Sequence, residues 1–85
     1  MPMMTLEQVD LRCHARVTDI DGGRGVRSHL NILGIHIGDQ IVVVDRAPFQ
    51  GPVLVEIHGS RVALGRGVAR KIRVDLNGHA VSFID

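Results

Sequence analysis

The stretch Arg27-Ser28-His29-Leu30-Asn31-Ile32-Leu33-Gly34-Ile35-His36-Ile37-Gly38-Asp39 decides how the whole chain is read. With Gly25 and Val26 before it, it predicts the best helix of the sequence, from Gly25 to Leu33. Val26, Leu30 and Leu33 recur at i, i+4 and i+7 and share one face, while Arg24, Arg27, Ser28 and Asn31 mostly take the other. Gly34 stands where a left-handed residue ends a helix at least steric cost, and Ile35 can then fold back as a hydrophobic contact on the last turn. Gly38-Asp39 marks a second turn.

Everything around this helix reads as short strands. Upstream, Thr5-Leu6-Glu7-Gln8 predicts a capped helical turn in which Gln8 reaches back, anchored by Leu6 and Val9. From Cys13 to Asp19, Cys13, Ala15 and Val17 alternate with His14, Arg16 and Thr18, a strand with one apolar and one wet face. Asp21-Gly22-Gly23 ends it. Downstream, Gln40 to Asp45 is a strand whose four consecutive apolar residues, Ile41 to Val44, require cover on both faces. Arg46 to Pro52 is a loop. Val53, Val55 and Ile57 alternate with Leu54, Glu56 and His58, and a Gly59-Ser60 turn leads into Arg61 to Leu64, making a hairpin. Gly65 to Arg70 is a short crossing with Val68 and Ala69 inward. Lys71 to Leu76 is a strand, and Asn77-Gly78 is a two-residue hairpin signal that leads into a final strand, setting Ile72 opposite Phe83. The prediction is therefore an all-β fold, a small barrel of five to six antiparallel strands, with one inserted α-helix and a short N-terminal helical turn. Residues 1–85 form a single domain, with 1–4 as a flexible tail and 77–85 as an extra C-terminal hairpin strand.

Composition narrows the function. Among 85 residues there is one cysteine, so disulfides are excluded and a reducing, cytoplasmic setting is expected. The formal net charge of +1 argues against nucleic acid as a partner, and two phenylalanines with no Trp or Tyr leave no base-stacking platform. No run approaches the length needed to span a bilayer, and Met1-Pro2-Met3-Met4 is unlike a secretory signal. No Walker A loop is present, and Gly23-x-Gly25 reads as a turn before a helix. Without a catalytic constellation, the chain is not expected to be an enzyme.

The Arg27–Asp39 stretch resembles the R-x-x-L-x-x-L-G-I-x-x-G signature of the ferrous iron transport protein A (FeoA) family. Ala47-Pro48-Phe49-Gln50-Gly51-Pro52-Val53, Val62-Ala63-Leu64 and Ala69-Arg70-Lys71-Ile72-Arg73-Val74 agree with it in order and spacing. Gly65 departs, standing where such proteins often carry a basic residue, with Arg66 next. The resemblance implies an SH3-like barrel with a helical insertion. It also implies a small cytosolic accessory of bacterial ferrous iron uptake that docks on the cytosolic part of the FeoB permease, meeting the membrane only through that partner. The same shape ends the iron-dependent repressors, which gives the alternative: a metal-responsive regulatory module that binds a transition metal through histidines.

The residues themselves point to a surface rather than to chemistry. Cys13 and His14 are adjacent and face opposite ways on a strand, and His29, His36, His58 and His79 make no zinc motif. No cofactor or metal site is expected beyond adventitious zinc or iron at surface histidines. Cys13 reads as a small core residue. Arg61, Arg66, Arg70, Lys71 and Arg73 make the C-terminal half locally basic. Apolar surface is left as the feature that carries function. Ile32, Ile35 and Ile37 read as an exposed cluster, and Phe49 is either a lid on the barrel end or an anchor for a partner. The predicted docking surface is Leu30, Leu33, Gly34 and Ile35 with Pro48, Phe49, Gly51 and Pro52. Leu30 is mostly buried, with its edge lining a pocket between helix and loop. The edge of a strand from Val81 to Asp85 offers weak homodimer pairing.

Overall fold

The computed structural model describes residues 4–76. Six strands form one antiparallel sheet: β1 (Met4–Thr5), β2 (His14–Ile20), β3 (Gln40–Arg46), β4 (Val53–Ile57), β5 (Ser60–Leu64) and β6 (Ile72–Asp75). Helix α1 (Arg24–Leu33) is inserted between β2 and β3, and the one-turn helix α2 (Arg66–Ala69) lies between β5 and β6. The strands are ordered β1-β6-β2-β3-β4-β5, so the all-β prediction with one inserted helix holds.

The inward faces follow from the alternation. Ala15 and Val17 of β2, Ile41 and Val43 of β3, and Val53, Val55 and Ile57 of β4 are all buried. Val42 and Val44 are half-buried, as the continuous apolar run requires. A bulge between Val17 and Asp19 inserts a residue into β2, which turns Ile20 back into the core three positions after Val17. Leu6 and Val9 close one end of the core around a 3₁₀ turn (Leu6–Gln8), and the Gln8 side chain accepts from the Thr5 N–H at 2.9 Å. Ala69 of α2 is buried as well.

Three expectations are corrected. Met4 is not tail: it pairs with Val74 and opens the sheet. The β4–β5 turn is His58-Gly59, one residue earlier than predicted, because Ser60 already pairs with Ile57. His58 therefore leaves the strand and takes a positive φ of 52°, beside Gly59 at 79°. Ile35 is 1% exposed and belongs to the core, not to a surface cluster. The Asn77-Gly78 hairpin, His79, Phe83 and the strand edge from Val81 to Asp85 lie outside the described residues.

Candidate functional site

The end of α1 shows why Leu30 and Ile35 are not surface residues. Gly34 takes φ 84° and ψ 20°, and its N–H reaches the Asn31 carbonyl at 3.0 Å. The Ile35 N–H donates to the Leu30 carbonyl at 2.9 Å. These are the two bonds of a Schellman cap, which carries a hydrophobic contact beside it, and here Leu30 and Ile35 supply it from within the core. Leu30 is 0% exposed, so it has no edge to line a pocket. The surface at this corner is made by half-buried Leu33 and Gly34, with Ile32 82% exposed and Ile37 54% exposed.

The loop from Ala47 to Pro52 lies elsewhere. The α1 corner enters β3 at Gln40, whereas this loop leaves β3 at Arg46. Six residue steps of strand separate the two ends by about 20 Å. The predicted single surface between helix and loop is thus divided between the two ends of β3. Pro48, Phe49, Gly51 and Pro52 share one end; Leu33 and Gly34 belong to the other.

The loop is built tightly. The Ala47 N–H donates to Pro52 O at 3.0 Å and the Gly51 N–H to Pro48 O at 3.1 Å. Between them, Phe49 and Gln50 both have positive φ, 57° and 60°. That is the φ pattern of a type I′ turn, which favours Asn-Gly rather than an aromatic and a glutamine. Phe49 is 98% exposed, which removes the lid reading. Arg66, on α2, reaches across to the loop: its Nε donates to Gly51 O at 3.1 Å and its Nη2 to Ala47 O at 3.3 Å.

In the sequence Arg66 is one of five basic residues of the C-terminal half, but its side chain is only 16% exposed and also approaches Glu7 at 3.8 Å. Arg70 meets the same Glu7 at 3.0 Å, and Arg73 meets Asp21 at 2.8 Å. Much of the basic half is therefore spent inside the molecule. The signal for Arg66 was present as the displaced basic residue after Gly65, but its targets are backbone carbonyls, which no side-chain pattern reveals.

At the α1 end of β3, Asp39 gathers two histidines. Its carboxylate accepts from the His36 N–H at 2.8 Å and lies 3.5 Å from His36 Nδ1 and 3.3 Å from His58 Nε2. Partial burial pushes the Asp39 carboxyl up. The His36 N–H, the His58 hydrogen bond and the two imidazole charges outweigh it and hold the carboxyl below its ordinary range. A depressed folded value stabilises the protein fully above the unfolded value, and that contribution is lost as pH falls through the folded one. Asp39→Asn should therefore lower the melting temperature at neutral pH and narrow its gap to wild type below about pH 4. A gap that stays constant with pH would remove this role for Asp39. Among the described residues, no three His, Cys, Asp or Glu side chains converge on a metal site. Cys13 is half-buried against the core. No described helix is long and apolar enough to cross a membrane.

A model of the FeoA domain matches residues 4–76. Over 59 residues the chain is 41% identical to a Methanocaldococcus jannaschii protein named Fe(2+) transport protein A, covering 69% of this chain and 70% of that one. It is similar to the crystal structure of an iron uptake regulatory protein, FeoA. The TM-score is 0.77 at 27% identity, over 88% of this chain and 97% of the other. A manganese-dependent transcriptional repressor shares the fold, with a TM-score of 0.79 at 24% identity; the match covers 86% of this chain but 41% of the repressor.

Proposed function

The chain belongs to the FeoA family of ferrous iron transport proteins, and from that premise we propose that it is a non-catalytic accessory that docks on the cytosolic part of a FeoB-type permease. The observation that carries this reading is the family match over residues 4–76, all of the described residues. The surface chemistry supports it. Among the described residues Phe49 and Ile32 are large apolar side chains left 98% and 82% exposed, whereas Arg66 and Arg70 are drawn into ion pairs with Glu7, and Arg73 into one with Asp21. Docking acts on the permease through a difference in affinity for two of its conformations.

The metal-responsive reading has less support. Likeness to a repressor at 24% identity speaks for the fold alone, and among the described residues His36 and His58 meet at Asp39 without a group of three His, Cys, Asp or Glu side chains that could hold a metal ion.

Pull-down with the permease, full-length and as its cytosolic domain, tests the proposal. Retention by at least one of them is expected, and failure with both would refute it. Fe(II) or Zn(II) titration separates the alternative: stoichiometric submicromolar binding that is lost on His→Ala would favour sensing.

A further inference from the structure

We infer that the Ala47–Pro52 loop is a preformed anchor, latched by Arg66, that presents Phe49 to an uncharged apolar pocket on a protein partner. The inference rests on the docking reading and names the element that does the docking.

Two observations fit together. The first is local strain. Phe49 and Gln50 occupy consecutive left-handed positions, φ 57° and 60°, where neither side chain is favoured. Nothing in the core holds Phe49 there, since its ring is 98% exposed. Strain of this kind persists only where the surroundings over-determine it, and it clusters at functional segments.

The second is the device that over-determines it. The guanidinium of Arg66 bonds the carbonyls of Ala47 and Gly51, which flank the turn on both sides. One planar fork fixes both legs of the loop, a geometry an ammonium cannot copy. An aromatic held out in a fixed conformation loses little freedom on binding, so more of its burial appears as affinity.

The chemistry of the partner follows from charge. Ala47 to Pro52 carries no ionisable side chain. The neighbouring cations point inward: Arg46 donates to the Glu7 and Val9 carbonyls, and Arg66 to the loop itself. The carboxylate near the loop, that of Asp45, is exposed. A lipid surface is recognised by aromatic residues with free cations around them; here Arg46 and Arg66 are bonded to backbone carbonyls, and the exposed Asp45 carboxylate, which accepts from the Arg46 N–H, adds negative charge. An apolar pocket in a protein is the matching receptor.

Two readouts test this. In the free protein, amide exchange at Ala47 and Gly51 should accelerate about tenfold or more in Arg66→Ala, with the β3 and β4 amides unchanged. Should that variant fail to fold, Arg66→Lys keeps a cation near Glu7 but cannot hold both carbonyls, and it carries the same expectation. Unchanged exchange in the folded variant overturns the latch.

In binding to the full-length permease, Phe49→Ala should weaken affinity about 30-fold or more, as a hot-spot aromatic does. Arg66→Lys should weaken it less, mainly by faster dissociation. Wild-type binding that Phe49→Ala leaves intact overturns the anchor while sparing the docking reading. Absence of wild-type binding overturns the docking reading and the pocket together, and amide exchange still decides the latch. Vesicles of phosphatidylglycerol and phosphatidylcholine provide the last arm. No Phe49-dependent partition is expected, and finding one would replace the protein pocket by a membrane surface.

Discussion

Leu30→Ala should cost the protein ~2–5 kcal/mol, the range for truncating a buried leucine. At 4–8 °C per kcal/mol for a domain of this size, the melting temperature should fall by about 10 °C or more. The position makes the upper part of that range reasonable. Leu30 is the buried residue of α1, with Val26 and Leu33 only half-covered on either side. A ten-residue helix has little stability of its own, so the side chain that seats it also holds it together. Its carbonyl accepts the Ile35 N–H, and the two side chains meet in the core beneath that bond. Removing three carbons therefore opens a cavity under the cap as well as under the helix. Ile32→Ala, two residues on and 82% exposed, should change stability by less than about 0.5 kcal/mol. Thermal melts of both variants, with amide exchange across 24–34, make the comparison. Equal melting temperatures for the two would show that α1 is not seated by Leu30. Because Leu30 is wholly buried, any loss of permease binding in the variant should follow the unfolded fraction and vanish below the melting transition.

The helix, its cap and most strands could be read from the sequence because each has a local cause. Val26, Leu30 and Leu33 fix a face, Gly34 fixes a stop, and Val53, Val55 and Ile57 fix a pleat. Ile35 carries two readings: the contact back onto the last helical turn holds, and the membership of an exposed cluster fails for an instructive reason. It belongs to a run of isoleucines, Ile32, Ile35 and Ile37, that looks like one apolar surface. The left-handed turn at Gly34 reverses the chain so that the middle member enters the core and the outer two stay in water. Periodicity counts along an element cannot anticipate a reversal between elements. The same holds for Ile20, which the bulge after Val17 returns to the core out of phase.

The docking surface was legible as a set of residue types but not as a place. Its two halves flank β3 in sequence, Leu33 and Gly34 before Gln40 and Pro48 to Pro52 after Arg46, and in the fold the length of the strand keeps them apart. Arg66 was the least legible of all. A basic residue paired with carbonyls leaves no complementary acid in the sequence to find, and the nearest acid, Glu7, is 59 positions away and shared with Arg70. The loop whose shape depends on Arg66 is nonetheless marked by Pro48, Phe49 and Gly51, because an aromatic among turn formers is either a lid on the barrel end or an anchor, and only its 98% exposure in the fold removes the lid.

Gly51→Ala should destabilise the protein by ~1–3 kcal/mol, the usual cost of forcing a methyl group into filled space. A β-carbon at Gly51 would sit 2.8 Å from the Ala47 β-carbon and 3.2 Å from Pro48 O. The first distance is far inside carbon–carbon contact, and both neighbours belong to the same tight turn, so neither can retreat without changing it. Gly34→Ala is the control. There the added methyl meets open space, and the cost, ~1–2 kcal/mol, comes from the left-handed backbone at φ 84°. The two mechanisms separate in double variants. Ala47→Gly removes one clashing atom and should return part of the Gly51→Ala loss, leaving the contact with Pro48 O; it should add nothing to Gly34→Ala beyond its own effect, since the two positions share no contact. Gly51→Ala should also disturb Gly51 O, which Arg66 holds at 3.1 Å, and so reproduce in Ala47 and Gly51 amide exchange what loss of the guanidinium does. A Gly51→Ala variant with wild-type stability, or one that Ala47→Gly does not relieve at all, would mean that the turn can open without cost, and Phe49 would then be held by nothing that the geometry identifies.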